Sequence, residues 1–302
     1  TEFAVNFPFV PYQYSVMQKV FAEIRKHGSS GNKYISTGER SMLSSFQNAA
    51  QQIQNQNESA LVPFYYFYNT LHNALDTPIR QIIERCQKFA DGVSDMQPQD
   101  VAVLKLLYLL RYIDDIPSNL ENIVILMADT ISVDKISAKV SIRASLDRLI
   151  RHNFVALNGE IYCFLTDEEQ EIQSDIKKEL VDTSAIVEHI GHMIFGDIYT
   201  TKKYHYSDKY DFPFDQMVDD MVVGTLTGGM RLRFLTPLAD DDPSAKSDFR
   251  LMSATKGCEA AVVLADSDYY KSLERAIQIR QYIKRRNIAR LPKSVQDIIR
   301  NQ

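Results

Sequence analysis

Apolar residues occupy almost every side of a helical wheel drawn through 101–113 (VAVLKLLYLLRYI), the mark of a helix buried within a domain. Lys105, Arg111 and the short span argue against a membrane crossing. Pro117 and Ser118 then punctuate the chain. Ser118 with Glu121 has capping-box spacing, so a second helix is predicted over 120–128. A third covers 137–152, with Ile142, Leu146, Leu149 and Ile150 as its inner stripe. Residues 154–157 and 161–165 are β-rich. Asn158-Gly159 between them predicts a tight hairpin with both turn residues at positive φ. Three helices and a two-stranded wing make a winged helix over 100–166, a variant of the helix-turn-helix that docks on nucleic acid in many proteins. Fold alone does not assign that role.

Before this stretch, residues 3–14 are rich in aromatics and prolines and read as extended. Helices are predicted over about 14–26, from Gly38-Glu39-Arg40 into SMLSSFQNAAQQIQ, from Pro63 through FYYFYNTLHNAL, and from Pro78 to Ala90, closed by Gly92. These make a helical block over 1–99. After the wing, Thr166 with Glu169 repeats the capping-box spacing, and 167–200 reads as connecting helices. Residues 202–214 (KKYHYSDKYDFPF) interleave basic and aromatic side chains. An exposed β-strand explains them, with stacking on single-stranded nucleic acid as the alternative. Strands at 231–235 and 260–265 and a helix over 268–286, with Leu273, Ala276, Ile277 and Ile283 inward, complete a small α/β domain over 201–302. The chain is therefore mainly α, and α+β overall.

Charge refines this picture. The 302 residues carry a net charge of −5, so no global field favours nucleic acid. The stretch 167–183 is acidic and 268–302 basic, and the acids at the first of these complement a helix dipole. Within 134–152 five Lys or Arg face two Asp, a local +3. On the wheel Arg148 and Arg151 lie opposite Leu146, with Arg143 on the shoulder, and the small Ser141 and Ala144 would let the helix approach a groove. The nucleic-acid candidates are therefore Lys139, Arg143, Arg148 and Arg151, with Lys284, Arg285 and Arg286 at the basic end. Replacing Arg148 and Arg151 by Glu is expected to abolish duplex binding and leave stability nearly unchanged.

Candidate chemistry is sparse. Cys86, Cys163 and Cys258 lack metal spacing and suit a reducing cytoplasm. His189 and His192 sit three apart without companion ligands, and Asp240 to Asp242 read as a solvent loop. No catalytic triad and no metal site is expected. The chain starts at Thr1 rather than methionine, which suggests a piece excised from a longer protein.

The runs NFPFVPYQYSVMQKVF, STGERSMLSSFQNAA, LVPFYYFYNTLHNALDTPIRQIIER, LKLLYLLRYIDDIPSNLENIVILMAD, SLDRLIRHNFVALNGEIYCFLTDEEQEI and YDFPFD resemble the P-loop ATPase of the BREX phage-defence system, the BrxC/PglY family. The resemblance implies large bacterial proteins with an AAA-type nucleotide-binding domain, using ATP and magnesium and acting with other defence proteins, a methyltransferase among them. No G-x-x-x-x-G-K-[ST] occurs in this chain, and Gly224 to Gly229 (GTLTGG) lacks the lysine. The resemblance then begins after the nucleotide core. It implies an AAA-type helical lid over 1–99, in which Arg40 is a nucleotide sensor candidate, since a guanidinium suits a γ-phosphate. The implied role is non-catalytic, coupling nucleotide state to double-stranded DNA or partner proteins, with an oligomer as one arrangement. The alternatives are a protein-interaction scaffold without DNA contact and a free-standing winged-helix regulator.

Overall fold

The computed structural model describes residues 2–27, 39–71, 75–239, 259–265, 269–286 and 296. Two compact units divide the chain, one holding the residues up to Ser174 and the other running from Asp175 to Arg290.

The first unit contains helices α1 (Glu2–Asn6), α2 (Tyr12–His27), α3 (Glu39–Gln52), α4 (Tyr66–Leu71), α5 (Thr77–Asp91), α6 (Pro98–Leu110), α7 (Leu120–Leu126) and α8 (Lys135–Arg151). The hairpin β1 (Val155–Asn158) and β2 (Ile161–Phe164) follows. Helix α6 is central because it has no polar face to give to water. Val101, Val103, Leu104 and Leu106 to Leu110 are all buried, at roughly 1.5–3 kcal/mol for each large aliphatic side chain. One apolar cluster joins Met17 of α2, Phe46 of α3, Ile82 of α5 and Leu107 of α6 to Ile123, Leu146 and Phe164. The boundary expected at residue 99 therefore marks no break in packing. A single core cannot be cut there without exposing α6.

Three local expectations shift. Residues 2–6 are helical rather than extended. Helix α7 is capped by Asn119, whose side chain accepts from Asn122 N at 2.9 Å, because the Ser118 hydroxyl is already donating to the carbonyl of Tyr162 at 2.8 Å. In the hairpin Asn158 pairs with Ile161, so the two-residue loop is Gly159-Glu160. Only Gly159 takes positive φ (60°), the pattern of a turn with glycine first rather than the asparagine-glycine turn expected.

Helix α9 (Asp167–Lys177) spans the division between the units. The second unit holds α10 (Thr183–Met193), which runs on into a π-turn at Ile194–Ile198, and strands β3 (Lys203–Ser207), β4 (Tyr210–Val218), β5 (Met221–Val222), β6 (Met230–Leu235) and β7 (Glu259–Val263). Helix α11 (Tyr269–Arg285) ends the described part apart from residue 296. The sheet order is β3-β4-β6-β7, with β5 also paired to β4. β3 and β5 run antiparallel to β4, whereas β4, β6 and β7 are parallel. Ile186, Val187 and Ile190 of α10 pack with Val218 in this unit's core, so α10 is a layer of the α/β unit rather than a connector. Within α11 Leu273 and Ile277 pack against this core, and Ile279 and Tyr282 are buried more deeply.

Between β5 and β6 the chain crosses β4 through GTLTGG. A Cβ at Gly229 would lie 2.4 Å from the Pro213 carbonyl oxygen, so glycine is required where the two backbones meet. Asp215 pins the crossover by accepting from the Thr227 amide and, at 2.7 Å, from its hydroxyl.

Candidate functional site

Helix α8 starts at Asp134, whose carboxylate accepts from Ile136 N at 3.0 Å. Its inner side is Ile142, Ser145, Leu146 and Leu149, all buried. Ile150 is only partly so.

The cations expected on its outer side do not stand free. Arg148 makes two hydrogen bonds to Asp100 of α6, from Nε at 2.8 Å and from a terminal nitrogen at 2.7 Å. The Asp100 side chain is fully buried and that of Arg148 is 13% exposed. Hydrogen bonding to Asp100 holds the Arg148 pKa above the ordinary guanidinium value. The wheel placed Arg148 toward solvent because it describes one helix at a time. Asp100 reaches it from the first turn of α6, where the same carboxylate also caps that helix by accepting from Gln97 N at 2.8 Å. Arg148 is thus a residue of the fold, and the expectation that its loss leaves stability unchanged is corrected.

Arg151 bonds Asp95 at 2.6 Å, and His152 lies 2.7 Å from the other oxygen of the same carboxylate. Hydrogen bonds from His152 and Arg151 hold the Asp95 pKa down at about 2. Lys139 is paired with Glu121 of α7. Ser141, expected to clear space for a groove, donates to the Gln99 side chain at 2.7 Å. Lys135 and Arg143 are exposed and make no ion pair among the described residues.

What α8 does present is apolar. Ile136 is 79% exposed and Val140, one turn on, 68%. With Ile125 of α7, also exposed, they line a groove between the two helices that Lys139, Arg143 and Ala144 border. Large β-branched side chains bared at i and i+4 carry no advantage against a phosphate backbone, and clustered exposure of this kind marks interaction surfaces. The charge count over 134–152 could not reveal this, because the neutralising carboxylates lie at 95, 100 and 121.

The basic end of α11 is treated similarly. Arg285 pairs with Glu179 at 2.7 Å and Arg286 with Asp175 at 3.1 Å, so the acidic stretch after β2 meets the basic one. Lys284 is exposed and makes no ion pair among the described residues. Arg40 lies in the first turn of α3, and its side chain is outside the described residues, as are Asp240 to Asp242 and Cys258. Among the described residues no three His, Cys, Asp or Glu are grouped to hold a metal ion. His192 approaches Glu188 at 3.9 Å. Burial raises the Cys86 pKa to about 12, which leaves it without thiolate character. No described helix is long and apolar enough to cross a membrane.

Sequence reasoning saw Glu169 only as half of a capping box. That box forms, with Thr166 N donating to Glu169 at 2.8 Å. Glu169 also takes two hydrogen bonds from Arg111 at 2.8 and 3.0 Å. Burial disfavours the Arg111 charge, but Glu169 outweighs it and keeps that pKa above the ordinary value. The pair clamps the end of α6 to the start of α9.

Residues 179–302 match the model of a family described as BREX ATP-binding protein BrxC 4th domain with six-stranded beta sheet. Strands β3 to β7 and helix α11 fall inside the match. No solved structure matches the chain.

Proposed function

We propose that this chain, whose residues 179–302 match a BrxC family model, is a non-catalytic segment of such an ATPase that relays nucleotide state to other defence proteins through the outer face of α8. In this reading the residues before α6 are the helical lid of an AAA-type ATPase, and α6, α7, α8 and the β1–β2 hairpin are a winged helix. Arg40 senses the γ-phosphate. ATP and magnesium bind elsewhere in the full-length protein, because this sequence has no phosphate loop. The setting is the bacterial cytoplasm.

The observation that favours a protein partner over duplex DNA is the fate of the five cations on α8. Arg148, Arg151 and Lys139 are each held by a carboxylate of the same unit, while Ile136 and Val140 are bare. DNA binding draws its affinity from unengaged cations that release counterions. Lys135 and Arg143 alone supply few.

The test is binding of purified defence-system proteins, the methyltransferase included, to this chain and to Ile136→Asp with Val140→Asp. The expected result is one saturable partner that the variant loses. Duplex affinity is measured in parallel at two salt concentrations. Tight, steeply salt-dependent duplex binding that Lys135→Glu with Arg143→Glu removes would restore the DNA reading.

A further inference from the structure

The basic and aromatic run 202–214 takes a form that goes beyond an exposed strand. β3 and β4 make a hairpin in which Tyr204 lies opposite Phe212. Tyr210 is two residues from Phe212 on the same strand and shares its face. Tyr206 is likewise two residues from Tyr204 and shares that face, its ring 6.1 Å from Phe212 and roughly perpendicular to it. Four rings therefore share one face of the hairpin, each between 46% and 69% exposed. His205 and Asp211 pair at 2.8 Å on the other. Farther along β4 the aromatic face becomes covered, as Phe214 is buried with Tyr199 beside it at 6.0 Å.

Charge sits at both ends of this ladder. Lys202 and Lys203 are at its base and Lys209 is in the turn at its tip, all exposed and without ion pairs among the described residues. Asp211 is occupied by His205, which leaves Asp208 as the opposing charge in the hairpin.

We propose that the face formed by Tyr204, Tyr206, Tyr210 and Phe212 binds single-stranded nucleic acid, with bases stacked on the rings and phosphates drawn to Lys202 and Lys209. The site is separate from α8 and does not depend on the reading of that helix. A duplex hides its base faces in its own stack, whereas an unpaired strand offers them to any aromatic surface, which makes such binding tolerant of sequence. Open sheet faces carrying two or three rings recognise unpaired bases in this way. A protein partner is less suited here, because three of the four rings on this face end in a hydroxyl.

The experiment is fluorescence anisotropy of the 302-residue chain with a labelled oligothymidine of about 20 nucleotides, longer than one such site needs. A duplex of equal length is measured beside it. The oligothymidine should bind more tightly than the duplex and weaken with salt. Tyr204→Ala with Tyr206→Ala should lower affinity at least about tenfold, since one stacked base is worth roughly fivefold to a hundredfold. Tyr204→Phe with Tyr206→Phe keeps the rings and should bind like wild type, which separates stacking from misfolding. Lys202→Glu with Lys209→Glu should flatten the salt dependence. No binding by wild type, or equal binding by the alanine variant, overturns the proposal. Self-association by light scattering that the alanine variant abolishes, without oligothymidine binding, would overturn it in favour of a protein-facing surface.

Discussion

Arg148 and Asp100 form a two-point ion pair at 2.7 and 2.8 Å between the third helix of the α6–α8 body and the first turn of α6, with the carboxylate wholly out of water. Removing the cation strands a buried charge, which costs on the order of 3–5 kcal/mol. Arg148→Glu adds repulsion to that loss. Thermal unfolding should show a large fall for Arg148→Glu and little change for Arg151→Glu, whose partner Asp95 is half exposed. Equal melting temperatures for the two variants would contradict the geometry.

Asp95 gives the exposed end of the same helix a pH signature. Its folded pKa is held at about 2, below the usual aspartate value near 3.9. A depressed carboxylate stabilises the fold above its unfolded pKa, and that contribution is lost as pH falls through the folded pKa. The stability difference between wild type and Asp95→Asn should therefore shrink as pH falls from about 5 toward 2. A difference that grows on acidification would show the sign to be wrong.

The apolar face of α8 makes a prediction of opposite kind. Ile136 and Val140 contribute little to the core, so Ile136→Asp with Val140→Asp should alter stability by no more than about 0.5 kcal/mol per site. Denaturant titration checks this, and a marked loss would mean that the two side chains are covered within the fold.

Ala in place of Gly229 should strain the crossover against the Pro213 carbonyl. Backbone atoms yield poorly, so a cost of about 1–3 kcal/mol, the range for overpacking, is expected. Thr227→Val removes a hydrogen bond to Asp215 and should lower stability by about 1 kcal/mol. Hydrogen exchange localised to 213–235 is the readout.

The nucleotide reading is tested in the full-length protein. Arg40→Ala should reduce ATP turnover by about tenfold to a thousandfold, as loss of other preorganised electrostatic groups does. This 302-residue chain by itself should neither bind ATP at micromolar concentration nor hydrolyse it. Calorimetry and phosphate release measure both, and turnover by the isolated chain would end the assignment.

Local composition, periodicity and turn residues located α6, α8 and the β1–β2 hairpin, because each of these signals lies within a few neighbouring residues. The Thr166–Glu169 cap was legible for the same reason. Long-range relationships were not. Asp100 looks like an ordinary polar residue before an apolar helix, and its role depends on Arg148, 48 residues later. The charge count along α8 was correct as arithmetic and misleading as electrostatics, since Asp95, Asp100 and Glu121 are supplied by other segments. At the hairpin turn the error was one residue. Register fixed by Asn158 opposite Ile161 overrode the local preference for an asparagine-glycine turn. The four-ring face was only half visible, because alternation groups Tyr204 with Tyr206 and Tyr210 with Phe212, but only the pairing of Tyr204 opposite Phe212 brings the two pairs onto one face.

The ion pairs of Glu179 with Arg285 and of Asp175 with Arg286, joined by the Gln278 bond to the Glu179 carbonyl, fasten the first residues of the second unit to its last described helix. A polypeptide module whose two ends are neighbours can be spliced into a host protein, or lifted out, without prising apart what flanks it. The β3–β7 sheet with α10 and α11 has that property.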